Sequence, residues 1–146
     1  MPVTVTLYNH TVKRIMSGEN AQSDVYKINL YSVLPFDATA TTKAAAEAGA
    51  TQLPTANGYV QNAKDLTNVL VSVVTTNDGR FDADDVVWAA AGGPIAAAFA
   101  LIYNDSDGGD PPLMHINFDG VQTAPDTTDF KIIWAAAGII SGTTTP

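Results

Sequence analysis

The chain contains no cysteine. That excludes disulfides, thiolate metal sites, iron–sulfur centres and cysteine nucleophiles, so the fold must stand on packing, alone or with oligomerisation. Cations are scarce too: 7 lysines and arginines face 15 aspartates and glutamates, for a formal net charge of −8. Lys13, Arg14, Lys27, Lys43, Lys64, Arg80 and Lys131 are scattered, and only the first two are adjacent. A nucleic-acid binder needs a basic face to neutralise phosphates, so neither nucleic acid nor an anionic membrane is an expected partner. No run of about 18 apolar residues is present. The longest, Val86 to Tyr103, is broken by Gly92-Gly93-Pro94 and reads as two strands and a turn. The start, Met1 to Val5, lacks the basic and apolar regions of a signal peptide. Charged residues make up 15% of the chain, against about 25% in an ordinary domain. Alanine and threonine fill the deficit, and a surface this poor in charge points to cover by another chain.

What is present suits one β-sandwich domain over residues 1–146. A chain of this length buries roughly 70% of its unfolded surface, and 46% hydrophobic residues with a mean hydropathy of +0.07 are too apolar for disorder. Leu7, Tyr8, Val12, Ile15 and Met16 recur at helical spacing, with Gly18 placed to end the helix in the left-handed region and Thr4 or Thr6 to cap its start. The helix is expected to bury one face on the sheet or on a neighbouring subunit. Ser23 to Leu34 alternates, with Tyr26, Ile28, Leu30 and Leu34 inward and Lys27, Asn29 and Tyr31 on a wet side; Pro35 ends it. Thr41 to Ala50 reads as a short helix or ordered loop, and Leu53 to Asp65 as a loop with a short edge strand near Tyr59. Leu66–Thr76, Val86–Ala90, Ile95–Tyr103, Leu113–Phe118 and Phe130–Ala136 read as strands. Turns fall at Asn77 to Arg80, Gly92 to Pro94, Asp105 to Pro112 and Asp119 to Asp129. Strands spaced near ten residues predict a mostly β fold, a jelly-roll-like antiparallel β-sandwich with a short N-terminal helix. Residues 141–146 read as a flexible tail.

Two segments echo each other: Val86-Val87-Trp88-Ala89-Ala90-Ala91-Gly92 and Ile132-Ile133-Trp134-Ala135-Ala136-Ala137-Gly138. Two copies do not make a repeat architecture. The reading is local: a tryptophan covers the rim of the core, and the small residues beyond it let a second backbone approach.

The chemistry-bearing residues do not assemble into a motif. Asp82-Ala83-Asp84-Asp85 and Asn104 to Asp110 offer oxygens for Ca²⁺, but from Asp105 the sixth position is Asp110 rather than glycine and the twelfth is Ile116 rather than glutamate. They read as solvated turns. Asp82, Asp84, Asp85, Asp110 and Asp119 could supply a glycosidase pair only if two shared an apolar cleft, and all sit in expected loops. His10 and His115 lack zinc-type spacing; His115 falls on the polar face of its strand. No G-x-S-x-G, G-x-x-x-x-G-K-[ST] or G-x-G-x-x-G occurs. Tyr8, Tyr26, Tyr31, Tyr59, Trp88, Tyr103, Phe118, Phe130 and Trp134 read as core residues, an exposed glycan platform being the alternative. No catalytic, cofactor-binding or metal-ligating residues are assigned, and no enzyme activity or cofactor is expected.

One ordered set of segments resembles a known group. Phe81-Asp82-Ala83-Asp84-Asp85-Val86-Val87-Trp88 is followed by Ala98 to Asp105, Asp110-Pro111-Pro112-Leu113, Ile116-Asn117-Phe118-Asp119-Gly120 and Asp129 to Trp134. This resembles small virion structural proteins of tailed bacteriophages, with their F-x-A-x-D-V-x-W, A-x-I-Y-x-D, D-P-L, I-x-F-G-G and G-x-F-x-I-x-W elements. The likeness covers Phe81 to Ile140 well and the first half loosely. Asp119 stands where the group has glycine, and Thr128 replaces the glycine of the last element. The resemblance implies a capsid cement or decoration protein: a jelly-roll module, dimeric or trimeric, that sits on the outer surface of the virion shell, binds the major capsid protein and bridges capsomers. It would be made in the bacterial host cytoplasm. A tail or fibre module binding a host-surface glycan is the second expectation, and a metal-dependent hydrolase the third.

Overall fold

The structure, a computed structural model, describes residues 3–75 and 78–143. Period-2 alternation and β-branched residues build ten strands among the described residues, accompanied by two short helices. They are β1 (Thr4–Leu7), β2 (Tyr26–Val33), β3 (Thr51–Gln52), β4 (Leu70–Thr75), β5 (Asp78–Asp82), β6 (Val86–Ala89), β7 (Ile95–Asn104), β8 (Pro112–Ala124), β9 (Asp129–Ile132) and β10 (Ile140–Thr143), with α1 (Asn9–Ser17) and α2 (Lys43–Ala46). The fold is mostly β and antiparallel throughout, consistent with a β-sandwich. One layer is a five-stranded sheet in the order β1-β8-β7-β2-β3; β10-β5-β4 and β6-β9 form smaller sheets. The main core lies between them: Ile28 and Leu30 of β2, Ile102 of β7 and Ile116 of β8 meet Phe81, Val86, Trp88 and Phe130.

The far face of the five-stranded sheet is covered as well. Tyr31, Leu34 and Leu101 pack there with Ala40 and Ala46 in a second cluster. This corrects the wet side expected for β2: Asn29 and Tyr31 are fully buried, because the segment running through α2 lies over them. Here α2 starts as its sequence predicts, with the Thr42 hydroxyl accepting from the Ala45 N–H at 3.2 Å.

Helix α1 ends at Gly18, in the left-handed region at φ 74°, as expected. Its start differs. Tyr8 occupies the cap position without a side-chain hydrogen bond, and Thr4 and Thr6 belong to β1, paired with Asn117 and His115 of β8. Its buried side carries Thr11 and Arg14, while Val12, Ile15 and Met16 are 48%, 42% and 83% exposed. The inward pair is satisfied by the strand beneath, the Thr11 hydroxyl lying 2.7 Å from Leu113 O and 3.1 Å from Pro112 O.

Other boundaries move. β8 runs past the turn expected at Asp119. Asp119 (φ 57°) and Gly120 (φ 119°) form a bulge, so Phe99 pairs with Asn117 but Ala97 with Gln122. The expected Phe130–Ala136 strand stops at Ile132. Of the turn expected at Asn77 to Arg80, Asn77 lies outside the described residues and Asp78 to Arg80 belong to β5. The expected tail is strand through Thr143, Ser141 pairing with Arg80 and Gly142 with Gly79; residues 144–146 are not among the described residues. Near Tyr59 there is only a one-residue bridge, Ala56 to Tyr59.

The echoing segments are neighbours. Val86 pairs with Ile132 and Trp88 with Phe130. Beyond Trp88, the Asn57-Gly58 turn presses on the alanines: Asn57 O accepts from the Ala91 N–H at 3.1 Å, and a Cβ on Gly58 would lie 2.0 Å from Ala89 O. Beyond β9, the Trp134 indole N–H reaches Asp84 O at 2.9 Å, and a Cβ on Gly138 (φ 102°) would lie 3.0 Å from the Phe81 carbonyl oxygen.

Candidate functional site

The acidic segments are held by the protein itself. In the first, Asp84 accepts from the Thr67 hydroxyl and the Asn68 amide, Asp85 from the Trp134 N–H, and Asp82 lies 3.7 Å from Arg80. In the second, Asp105 pairs with Lys27 and Asp107 with the guanidinium of Arg14 at 2.6 Å. Arg14 is almost fully buried and also donates to Asn20 Oδ1 and to the side chain and carbonyl of Glu19. The guanidinium's hydrogen bond, the Gly108 N–H and the Arg14 charge hold the Asp107 carboxyl below the usual carboxylate range. Hydrogen bonding to Ser17, with the charges of Lys13 and Arg14, does the same for Glu19. Arg14 thus ties the end of α1 to the loop between β7 and β8.

His115 is 6% exposed, not on a wet face as its strand position predicts. Its Nε2 lies 2.9 Å from the Leu34 carbonyl, and the rings of Phe36 and Phe99 flank it at 5.2 and 5.6 Å. It is a packed core histidine. His10 is on α1, 105 residues from it in the sequence. No group of three histidine, aspartate or glutamate side chains with metal-binding geometry is found among the described residues.

Sequence reasoning missed a polar cluster beneath α2. Asn29 donates to Tyr31 Oη and to Asn62, Tyr31 donates to Glu47, and Lys43 sits 3.2 Å from Glu47 and over the Tyr103 ring. Burial pushes the Tyr31 phenol up, and its hydrogen bond to the Glu47 carboxylate adds to this. Each member already has a partner within the cluster, so it fastens α2 to the sheet. Only the presence of Asn29 and Tyr31 on a strand, both readable as wet, hinted at it.

Of the nine aromatic residues read as core, eight are buried and Trp134 is half-buried. Each of the seven cations is engaged as well. Lys13, Arg14, Lys27, Lys43, Arg80 and Lys131 face carboxylates, while Lys64 donates to Val87 O at 2.8 Å and lies over Trp88. The excess charge on the surface is therefore carboxylate.

What remains open is apolar surface. The stripe of Val12, Ile15 and Met16 stands on the outside of α1. A groove of about 620 Å³ runs between β1 and β9, lined by Val3, Val5, Ile116, Phe118, Phe130 and Trp134. A second, of about 610 Å³, lies between Ile15 and the β10-β5-β4 sheet, over Val71, Phe81 and Ile140. Such surfaces can bind by burial of apolar area; Asp129 and Lys131, paired at 3.4 Å, also line the first, and Ser72 and Arg80 the second. No helix among the described residues is long and apolar enough to cross a membrane. No family model, curated protein or solved structure matches the chain.

Proposed function

We propose that the chain is a virion structural protein of a tailed bacteriophage: a capsid cement protein on the outer surface of the shell that binds the major capsid protein and bridges capsomers. In this reading the sandwich is of jelly-roll type and works as a dimer or trimer. One observation carries the proposal. Helix α1 is turned with Thr11 and Arg14 inward and with Val12, Ile15 and Met16 outward beside Lys13, an arrangement that costs free energy in water unless another protein covers those three apolar side chains. The choice of a phage shell as the partner rests on the sequence resemblance over Phe81 to Ile140.

The mechanism is additive burial. Each copy covers a junction between shell subunits, and apolar burial stabilises it by roughly 25 cal/mol per Å² before the costs of association. Many copies at equivalent sites raise the resistance of the whole shell. With its cations already paired, the acidic surface suits a locally basic shell face, and binding should weaken with salt. The glycan-binding reading needs clustered exposed aromatic rings; eight of the nine are buried, while Phe36 is 41% exposed and Trp134 half-buried, and glycan-array binding separates the two readings. The test is electron microscopy of purified particles with antibody-labelled protein. Label over the head capsomers is expected; label on the tail, or none on the virion, would end the proposal.

A further inference from the structure

We propose that β1 is a self-pairing edge: two copies join their β1 strands antiparallel about a two-fold axis, and the joined edges close the groove between β1 and β9.

β1 is the outer strand of the five-stranded sheet, so among the described residues one side of its backbone has no strand beside it. Exposed edges are normally blunted by lysine, proline, a bulge or extreme shortness. The opposite edge, β3, is blunted by its length of two residues. β1 is twice as long, and Thr4-Val5-Thr6-Leu7 carries no charge, no proline and a continuous register against β8. Beneath the same edge the two layers of the sandwich part. Val5 pairs with Ile116, so its side chain points to the core side, yet it remains 46% exposed, and Val3 is 54% exposed. Core-facing side chains of β8 and β9 line the groove there.

An occupant must therefore supply two things: an extended backbone for the edge, and apolar side chains at every second residue to lie over the groove. A sugar or a lipid supplies only one of them. Val3-Thr4-Val5-Thr6-Leu7 supplies both, with Val3, Val5 and Leu7 on one face and threonines on the other. Antiparallel pairing of two such strands is self-complementary, as a two-fold interface requires. The strand is uncharged and the charged side chains lining the groove, Asp129 and Lys131, are paired with each other at 3.4 Å, so two acidic copies meet without a net like charge at the seam, and their long-range repulsion is screened by salt. A basic foreign strand would behave oppositely, binding more weakly as salt rises.

The inference refines the oligomer of the shell-binding reading and rests on that reading only in treating the chain as part of an assembly. Its test uses purified protein without shells. Sedimentation equilibrium of the full chain, over a dilution series at low and high salt, should give twice the 15.3 kDa chain mass, with tighter association at high salt. Val5→Lys should raise the dissociation constant by about tenfold or more, as expected for losing a buried valine and gaining a desolvated charge. Val3→Glu, nearer the chain start, should do the same and guards against misfolding of the first variant, which circular dichroism would reveal. A monomer under all conditions, or an oligomer untouched by both substitutions, overturns the inference. Failure of the protein to bind shells, with the dimer intact, would instead count against the cement reading alone.

Discussion

Replacing Arg14 by methionine tests whether α1 is held by its one buried charge. Methionine keeps the apolar stem and removes the guanidinium, which is 6% exposed and bonded to Asn20, Glu19 and Asp107. The two carboxylates freed by the change are 40% and 48% exposed, so water takes over their hydrogen bonds. Asn20 is 9% exposed and loses the charged donor at 3.1 Å, keeping only the Asn104 amide at 3.4 Å. A charge-assisted bond lost to a buried acceptor costs about 2 kcal/mol, which for a chain of this size lowers Tm by roughly 4–8 °C. Urea unfolding followed by tryptophan fluorescence measures it. The pH dependence supplies a second reading. Arg14 holds the Asp107 carboxyl low, so that contribution is complete above the ordinary carboxylate pKa and disappears as pH falls through the lower folded value. Wild type should therefore lose stability on acidification below about pH 4, and Arg14→Met should lose less over the same window. A variant within about 0.5 kcal/mol of wild type, with an unchanged acid limb, would refute the role given to Arg14.

Three other substitutions probe different parts of the molecule. Gly58→Ala combines a positive φ of 86° with a Cβ 2.0 Å from Ala89 O and should destabilise by more than about 2 kcal/mol, whereas Gly142→Ala, with nothing within 4 Å, should stay within about 0.5 kcal/mol; parallel denaturant titrations separate them. Trp88→Ala empties the centre of the main core, where the indole lies against Phe130 and Tyr59, and should cost about 3–5 kcal/mol by thermal unfolding. Met16→Ser should leave stability unchanged within about 0.5 kcal/mol because the side chain is 83% exposed, yet should reduce retention on shells in co-sedimentation; unchanged retention would remove α1 from the docking surface.

Strands with strong local signals were legible. Ile95 to Asn104 and the stretch after Leu113 are apolar and β-branched, and they form the central hairpin of the larger sheet. The Gly18 stop of α1 and the Thr42 cap of α2 were legible for the same reason: each is decided by a few adjacent residues. β1, β3, β5 and β10 were not. They are short, and only their partners make them strands; Thr4 to Leu7 reads equally well as a helix start until β8 is placed beside it. The apolar grooves were also out of reach, since each is lined by residues far apart in the chain.

Composition and local pattern by themselves determined that this chain builds an antiparallel, cysteine-free, acidic β fold with aromatic side chains in its core, because those properties depend on residue type and on neighbours one to four positions away. Which face of each element meets that core was decided only in three dimensions. The periodicity of α1 is right, but the side laid on the sheet is that of Thr11 and Arg14: Asp107, 93 residues further on, reaches Arg14 and draws it inward. Tyr31 and His115 are buried for a like reason, because Glu47 and Leu34 belong to a segment that folds back over the sheet. A side chain's burial depends on what is brought against it, and the chain order does not record that.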